Sequence, residues 1–153
     1  MRTAADGAAP NRHCCVVEIC GTGVMIEGAA GAGKTSLALG LVEAARGRGL
    51  DAHFVADDQA LLARSGDTVL ARVPEALAGL AEVRGHGIVP VTHRDSTMIG
   101  LVVRLVPDES VERMPARGTC DLLGVTLPVV NTPVRHEAQA VRIVLASLRI
   151  SLV

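Results

Sequence analysis

The chain has 153 residues, 49% of them hydrophobic, which is enough for one domain and leaves little room for two. Phe54 is its only aromatic residue, which excludes a stacking platform for single-stranded nucleic acid, and a formal net charge of -1 gives no attraction to nucleic acid or to an anionic membrane. No run approaches the roughly 18 apolar residues of a membrane span, and the four cysteines lack zinc-site spacing, so we expect a cytoplasmic protein with reduced thiols.

The chain begins with a predicted flexible lead-in over residues 1–12, and a single domain is expected over residues 13–153. Two apolar runs, residues 14–19 and 24–26, flank a Gly-Thr-Gly turn and predict a hairpin that leads into a glycine-rich loop. Neighbouring residues of a strand point to opposite faces, so the adjacent cysteines at the start of this hairpin should face opposite sides of a sheet.

The remaining elements mix strands with two helices. Apolar spacing predicts helices over residues 34–48 and 136–148. The predicted strands cover residues 52–56, 60–64, 68–72, 98–106 and, as two short strands, 120–130; a helical turn follows Pro74, residues 81–91 are expected to be loop with short extended pieces, and residues 111–117 loop. The run 98–106 is apolar at nearly every position, as in a strand buried on both faces. These elements predict an α/β domain.

The glycine-rich loop GAAGAGKT matches the P-loop pattern at every defined position. Its expected nucleotide-binding residues are Gly28, Ala29, Ala30, Gly31, Ala32, Gly33, Lys34 and Thr35. Glycines let backbone N–H groups curl around phosphate oxygens, and the following helix points the positive end of its dipole at them. In P-loop proteins the lysine reaches the β and γ phosphates and the hydroxyl ligates Mg²⁺. The loop therefore predicts binding of a nucleoside triphosphate with Mg²⁺; the alternative is a glycine-rich turn without a ligand.

Carboxylates follow the loop at two places. Asp57 and Asp58 end the strand 52–56, where a P-loop enzyme needs a carboxylate for the metal or as a base; the alternative is a solvated pair that starts a turn. Glu82 lies two residues before Arg84, so both side chains share one face of an extended segment. One could hold metal while the other clamps phosphate, or the two could form a surface ion pair.

Four segments together resemble the catalytic domain of HPr kinase/phosphorylase. They are HCCVVEICGTGVMIEG leading into the P-loop, VADD, EVRGHGI, and TPVR before the last helix. The resemblance runs from about His13 to the end of the chain, and EVRGxGI is its most distinctive part. It implies a P-loop kinase domain of the HPr kinase/phosphoenolpyruvate carboxykinase-like type, with a mixed sheet and flanking helices.

The resemblance also implies a function. The family phosphorylates a serine of the phosphocarrier protein HPr, with ATP and Mg²⁺, and removes the phosphate by phosphorolysis, which regulates the phosphotransferase system. An HPr-like protein is therefore the expected partner, and the hexamers of the family imply a homo-oligomer. A small-molecule P-loop kinase and a non-catalytic ATP-binding regulatory domain are the alternatives.

Family roles carry over at matching positions. The implied catalytic residues are His13, Lys34, Asp57, Asp58 and Arg113, and the implied metal ligands are Thr35 and Glu82. The general base lies in the Asp57–Asp58 pair, with Asp58 slightly favoured. The basic loop linked to dephosphorylation corresponds to residues 132–136, with Arg135 as its clearest residue.

Three departures accompany the resemblance. Thr35 stands where the family usually has Ser, the basic loop reads PVRHEA instead of a PVRPGR-like sequence, and the glycine-rich stretch after EVRGxGI is replaced by residues 90–95. The separate N-terminal domain of the family has no counterpart in the sequence, so a short, kinase-domain-only form is expected. These departures bear on regulation, oligomer formation and phosphorylase activity more than on nucleotide binding.

Overall fold

The structure, a computed structural model, describes residues 10–152. Within that range the strands are β1 (Asn11–His13), β2 (Cys15–Ile19), β3 (Thr22–Glu27), β4 (Ala52–Ala56), β5 (Gln59–Ser65), β6 (Thr68–Arg72), β7 (Leu80–Val83), β8 (Gly87–Pro90), β9 (Ser96–Val106), β10 (Gly118–Leu122) and β11 (Val125–Pro133). The α-helices are α1 (Lys34–Gly47) and α2 (Glu137–Ser147), and two short 3₁₀ helices cover Glu75–Leu77 and Asp108–Ser110. Residues 1–9 of the predicted lead-in lie outside the described residues.

Nine strands form one mixed sheet with β9 at its centre. The order is β1-β5-β6-β9-β3-β2-β4, and β11 also pairs with β9 and carries β10. β9 runs parallel to β3 and β11 and antiparallel to β6. β6 pairs with the first residues of β9 and β11 with the last, so β9 has two partners along one edge. The predicted α/β class with a mixed sheet and flanking helices is confirmed.

The core lies on both faces of this sheet. One buried cluster contains Cys15 and the inward side chains of α1 and α2; the other contains Cys14 and side chains of β5 and β6. The two cysteines therefore face opposite sides, as predicted from the alternation of strand side chains. The middle of β9 is buried on both faces, but Met98 is 44% exposed and Arg104 is exposed, so the predicted two-sided burial is wrong toward the ends of that strand.

Both predicted helices are present within one residue of their predicted ends, and they pack against each other. The predicted hairpins β2–β3 and β5–β6 are also confirmed. Two local predictions differ from the structure. Asn11 and Arg12, assigned to the lead-in, form β1 because the edge of β5 offers unpaired backbone groups. Residues 81–91, expected as mostly loop, form most of a separate β7–β8 hairpin, in which Pro90 is tolerated at the end of an edge strand.

Candidate active site

The P-loop connects β3 to α1 and needs glycine for two separate reasons. At Gly28 a Cβ atom would lie 3.0 Å from the Cβ of Leu105, so a side chain would crowd β9. At Gly33 the backbone has φ +100°, a left-handed conformation that side chains disfavour. The loop then enters α1 at Lys34, which places the helix N-terminus beside the loop amides.

Lys34, the only lysine of the sequence, is buried beneath this loop. Its Nζ donates to the carbonyl oxygens of Gly28 at 2.9 Å and Ala29 at 3.1 Å. Among residues 10–152 no carboxylate forms an ion pair with it. A buried ammonium group is costly without a counter-charge, so the site fits an anionic phosphate that would accept the third N–H.

Asp57 is held by three donors at the end of β4. The Thr35 hydroxyl donates to its Oδ1 at 2.7 Å, the backbone N–H of Glu82 donates to its Oδ2 at 2.8 Å, and the Cys15 thiol donates to Oδ1 at 3.2 Å. Burial raises the pKa of the Cys15 thiol to about 12, so the sulfur keeps its proton and acts as a donor. The carboxylate therefore lies beside the P-loop hydroxyl, where a P-loop protein holds its metal.

Asp58 points elsewhere, although it is the next residue. Its backbone has φ +68°, a left-handed conformation that Asp tolerates better than most residues, and its carboxylate hydrogen bonds to the His13 imidazole. The side chains of His13 and Asp58 come together because β1 pairs with β5 and the backbone N–H of Cys14 donates to the Asp58 carbonyl. The turn thus gives two adjacent carboxylates different partners.

Lys34, Thr35, Asp58 and His13 face one cavity of about 440 Å³. Its lining consists of His13, Ala30, Gly31, Gly33, Lys34, Thr35, Ser36, Asp58, Glu82 and Arg84. Glu82 and Arg84 come from β7 and the turn after it, so the β7–β8 hairpin forms the wall opposite the P-loop. The structure therefore brings together most residues that the sequence singled out.

Some predicted residues lie outside this lining. Asp57 accepts a hydrogen bond from Thr35 and is not among the residues that line the cavity. Ala29 contributes its carbonyl to Lys34, and half-buried Ala32 packs against the core. Arg113 is exposed in the loop after the 3₁₀ helix Asp108–Ser110, and Arg135 is exposed at φ +63° between β11 and α2. Arg113 therefore remains a prediction from the resemblance alone.

Sequence reasoning did not single out Cys15 or Ser36. The sequence predicts Cys15 only as one of four reduced thiols, and its thiol contacts Asp57, 42 residues further along the chain. Ser36 is the residue after the P-loop pattern. It lines the cavity because it lies in the first turn of α1, which begins at Lys34. The position of Ser36 after the motif was an available signal; Cys15 offered none.

Comparison with known proteins agrees with this geometry. The family model for the HPr Serine kinase C-terminal domain matches residues 7–151. The chain belongs to this family. HPr kinase/phosphorylase of Lactobacillus acidophilus is 36% identical over 135 residues, and that of Limosilactobacillus reuteri 37% over 135 residues. Each alignment covers 80% of this chain and 40% of the relative, so the chain spans less than half the length of these curated relatives.

A solved structure supports the family fold. The HPr(Ser) kinase/phosphatase from Coxiella burnetii superposes with a TM-score of 0.76 at 23% identity, covering 92% of this chain and 96% of that chain. The family match thus confirms the resemblance that the P-loop, VADD and EVRGHGI carried. No helix among residues 10–152 combines the length and the apolar character needed to span a membrane.

Proposed function

We propose that the chain is an ATP- and Mg²⁺-dependent protein kinase that phosphorylates a serine of HPr or a homologous phosphocarrier. The observation that carries the proposal is the joint placement of Lys34, Asp58 and Glu82 on one cavity beside the P-loop. The acceptor is inferred from the names of the relatives, which are HPr kinases. Regulation of the phosphotransferase system follows from that acceptor.

The roles of the side chains follow from their surroundings. Lys34 and the loop amides bind the phosphates of ATP and balance the charge that develops during transfer. Thr35, Asp57 and Glu82 would hold Mg²⁺, which when bound neutralises phosphate charge and orients the γ-phosphoryl group. Asp57 already accepts hydrogen bonds from Thr35 and from the Glu82 backbone, which suits a residue of the metal side.

Asp58 is the general base of this proposal. It lines the cavity, whereas Asp57 does not, and it is paired with His13, which orients its carboxylate. It takes the proton of the serine hydroxyl while the serine oxygen attacks the γ-phosphorus and ADP leaves. In the phosphorolytic direction, an oxygen of inorganic phosphate attacks the phosphorus of phosphoserine, the serine O–P bond breaks, pyrophosphate forms, and protonated Asp58 gives its proton to the serine oxygen.

We also propose a cytoplasmic, oligomeric protein. ATP and phosphocarriers are cytoplasmic reactants, and the four cysteines are free, as expected under reducing conditions. Light scattering of the purified protein measures its subunit number. A monomer at all concentrations would contradict the oligomer.

The test is transfer from γ-labelled ATP. We expect the chain to label a serine of HPr or a homologous carrier in the presence of Mg²⁺. We expect it to label none of the small metabolites in a test panel. Asp58→Asn should lower transfer by roughly 10²–10⁴-fold, the range for loss of a general base, while ATP binding persists. Asp57→Asn should instead raise the Mg²⁺ concentration needed for half-maximal rate.

The matched control is Asp67→Asn, which replaces an exposed aspartate in the β5–β6 turn. It should transfer phosphate like the unaltered chain. Labelling of metabolites alone would replace the proposal by a small-molecule kinase. Tight ATP binding without transfer to any carrier would replace it by a regulatory ATP-binding domain.

A further inference from the structure

A second cavity adjoins the proposed nucleotide site. It has a volume of about 350 Å³ and is lined by His13, Glu27, Gly28, Arg104, Leu105 and Val106. His13 also lines the nucleotide cavity, so the two cavities meet at His13, whose imidazole hydrogen bonds to Asp58. Glu27 and Gly28 mark the point where β3 passes into the P-loop, so the second cavity begins beside the phosphate site.

Two residues that line the second cavity, Glu27 and Arg104, belong to a group of three charges from three strands; the third, Arg12, contacts Glu27 and does not line the cavity. Glu27 ends β3, Arg12 lies on β1, and Arg104 pairs with Glu27 across β3 and β9. The Arg12 terminal nitrogen donates to Glu27 Oε2 at 2.9 Å, and Arg104 Nε donates to Oε1 at 2.8 Å. The Glu27 side chain is only 17% exposed, whereas both guanidinium groups are nearly half exposed.

The charges of this group do not cancel. Two guanidinium groups share one carboxylate, which leaves a surplus of one positive charge. Burial on its own raises the pKa of Glu27, but hydrogen bonds from Arg104 and Arg12 outweigh it and hold that pKa below its usual range. The Glu27 hydrogen bond likewise raises the pKa of Arg104. Glu27 and Arg104 are therefore both charged at neutral pH.

Arg104 still has donors to offer. One of its five N–H donors is used by Glu27, and within residues 10–152 its terminal nitrogens have no hydrogen-bond partner. Glu27 fixes the guanidinium plane, so its free fork is oriented toward an incoming anion. Leu105 and Val106 add an apolar floor beside it. A fixed guanidinium above apolar side chains suits a peptide segment that carries a carboxylate.

We propose that the second cavity binds the acceptor protein segment next to its reactive serine, and that Arg104, with Arg12, recognises a carboxylate on that segment. This rests on the proposed kinase function. In phosphoryl transfer the attacking and leaving oxygens are roughly in line, so the serine approaches Asp58 from the side away from ATP. The second cavity meets the nucleotide cavity at His13, the hydrogen-bond partner of Asp58, so a segment that follows the serine can extend into it.

The experiment uses the full chain and purified HPr carriers. After the labelled serine is mapped, each Asp or Glu within a few residues of it is replaced singly by Asn or Gln. Transfer is then measured with the unaltered kinase, Arg104→Gln and Arg104→Lys. We expect Arg104→Gln to raise the KM for the carrier about tenfold, as for loss of a charge-assisted hydrogen bond, while ATP binding is retained.

Non-additivity decides the assignment. One carrier variant, in which the carboxylate that binds Arg104 has been replaced by an amide, should have a raised KM with the unaltered kinase. Its KM should not rise further with Arg104→Gln, because that variant carrier no longer has the carboxylate that Arg104 binds. Arg104→Glu should recover activity on a carrier whose matching carboxylate is replaced by Lys. The KM of Arg104→Lys for the carrier should lie between those of the unaltered kinase and Arg104→Gln, because lysine keeps the positive charge but lacks the paired N–H donors of the guanidinium group. Thermal melting verifies that each variant is folded.

The control is Arg72→Gln, an exposed arginine on β6 at the other end of β9. It should leave the KM for the carrier unchanged. If the unaltered chain phosphorylates a carrier and Arg104→Gln has the same KM, or if no carrier carboxylate couples to Arg104, this inference is overturned and the kinase function stands. If the unaltered chain labels no carrier, the proposed function and this inference both fall.

Discussion

Two adjacent carboxylates at the end of β4 show how a single backbone conformation separates roles. In a regular strand Asp57 and Asp58 would point to opposite faces of the sheet. The left-handed conformation at Asp58 instead turns the chain, so that Asp57 contacts Thr35 while Asp58 reaches His13. Mutual repulsion is reduced because each carboxylate has its own donor.

Thiol reactivity gives a residue-scale test of the site. Burial raises the pKa of both Cys14 and Cys15 to about 12, far above neutral pH, so both stay protonated and unreactive up to about pH 9. Cys20 is exposed in the β2–β3 turn. We expect iodoacetamide at pH 8 to alkylate Cys20 and to spare Cys14 and Cys15 until guanidinium unfolds the chain.

Mass spectrometry of the alkylated peptides measures this difference. Reaction in guanidinium is the control, because there all four thiols are accessible. Alkylation of Cys15 in the native protein at the rate of Cys20 would contradict the buried thiol that donates to Asp57.

The carboxylate of Glu27 predicts a pH dependence of stability. Its pKa is lowered in the folded chain, so its contribution is fully present above the unfolded pKa of about 4.3 and disappears as the pH falls through the lower, folded pKa. Glu27→Gln should cost about 1 kcal/mol of unfolding free energy at pH 7, since both arginines are nearly half exposed. The cost should shrink toward pH 3.

Urea unfolding at pH 7 and pH 3 measures this cost. Glu43→Gln, on the exposed side of α1, is the control and should change stability little at either pH. An equal loss for Glu27→Gln at both pH values would show that packing, and not its charge, is what Glu27 contributes.

At the scale of elements, the pairing of β3 with β9 fixes the P-loop. A Cβ at Gly23 would lie 2.4 Å from the backbone oxygen of Met98, and that backbone cannot yield without shifting the ladder. Gly23→Ala should therefore lower the unfolding free energy by about 1–3 kcal/mol, the usual cost of overpacking. It should also weaken ATP binding, because β3 leads directly into Gly28.

Gly47→Ala is the matched control. Nothing lies within 4 Å of a Cβ at Gly47, which ends α1, so alanine should be neutral or stabilise the helix by up to about 1 kcal/mol. Denaturant unfolding and a nucleotide titration compare the two variants. Equal stability of Gly23→Ala and Gly47→Ala would contradict the close approach of β3 and β9.

Local patterns predicted these elements better than their arrangement. Both helices and two hairpins follow from apolar spacing and turn residues, which are short-range signals. The β7–β8 hairpin was missed because Gly85, Gly87 and Pro90 suggest loop, although Gly85 lies in the turn and Gly87 begins β8, both at positive φ. The two partners on one edge of β9 depend on contacts between distant segments, which no local pattern encodes.

The same limit applies to the site. The P-loop is contiguous and was predicted from the sequence in full. The His13–Asp58 pair joins residues 45 positions apart; the family resemblance pointed to His13, and nothing in the sequence predicted its contact with Asp58. The Glu27–Arg104 pair joins residues 77 positions apart, and neither residue stands out in its own segment. Such pairs arise from sheet register, so they become visible only once β1, β3 and β9 are aligned.

At the scale of the whole molecule, the proposed nucleotide site is built from segments that are far apart in the sequence. β3 and α1 supply the P-loop, β4 supplies the carboxylates, and β1 and β7 bring His13 and Glu82. A ligand that contacts all of them stabilises the folded chain relative to the unfolded one. The site should therefore report ligand binding as a rise in the melting temperature of the entire domain.

We expect Mg²⁺–ATP at about 100 times its Kd to stabilise the fold by about 2.7 kcal/mol, which for a chain of this length raises Tm by roughly 5–10 °C. Lys34→Met should remove most of the shift, because the buried ammonium would no longer meet the phosphates while the methionine fills similar space. Arg142→Met replaces an exposed arginine of α2 and should keep the shift. Scanning calorimetry with and without Mg²⁺–ATP measures all three proteins. A full shift in Lys34→Met would contradict phosphate binding by Lys34 and move the nucleotide away from the P-loop, since no other lysine exists in the chain to take its place.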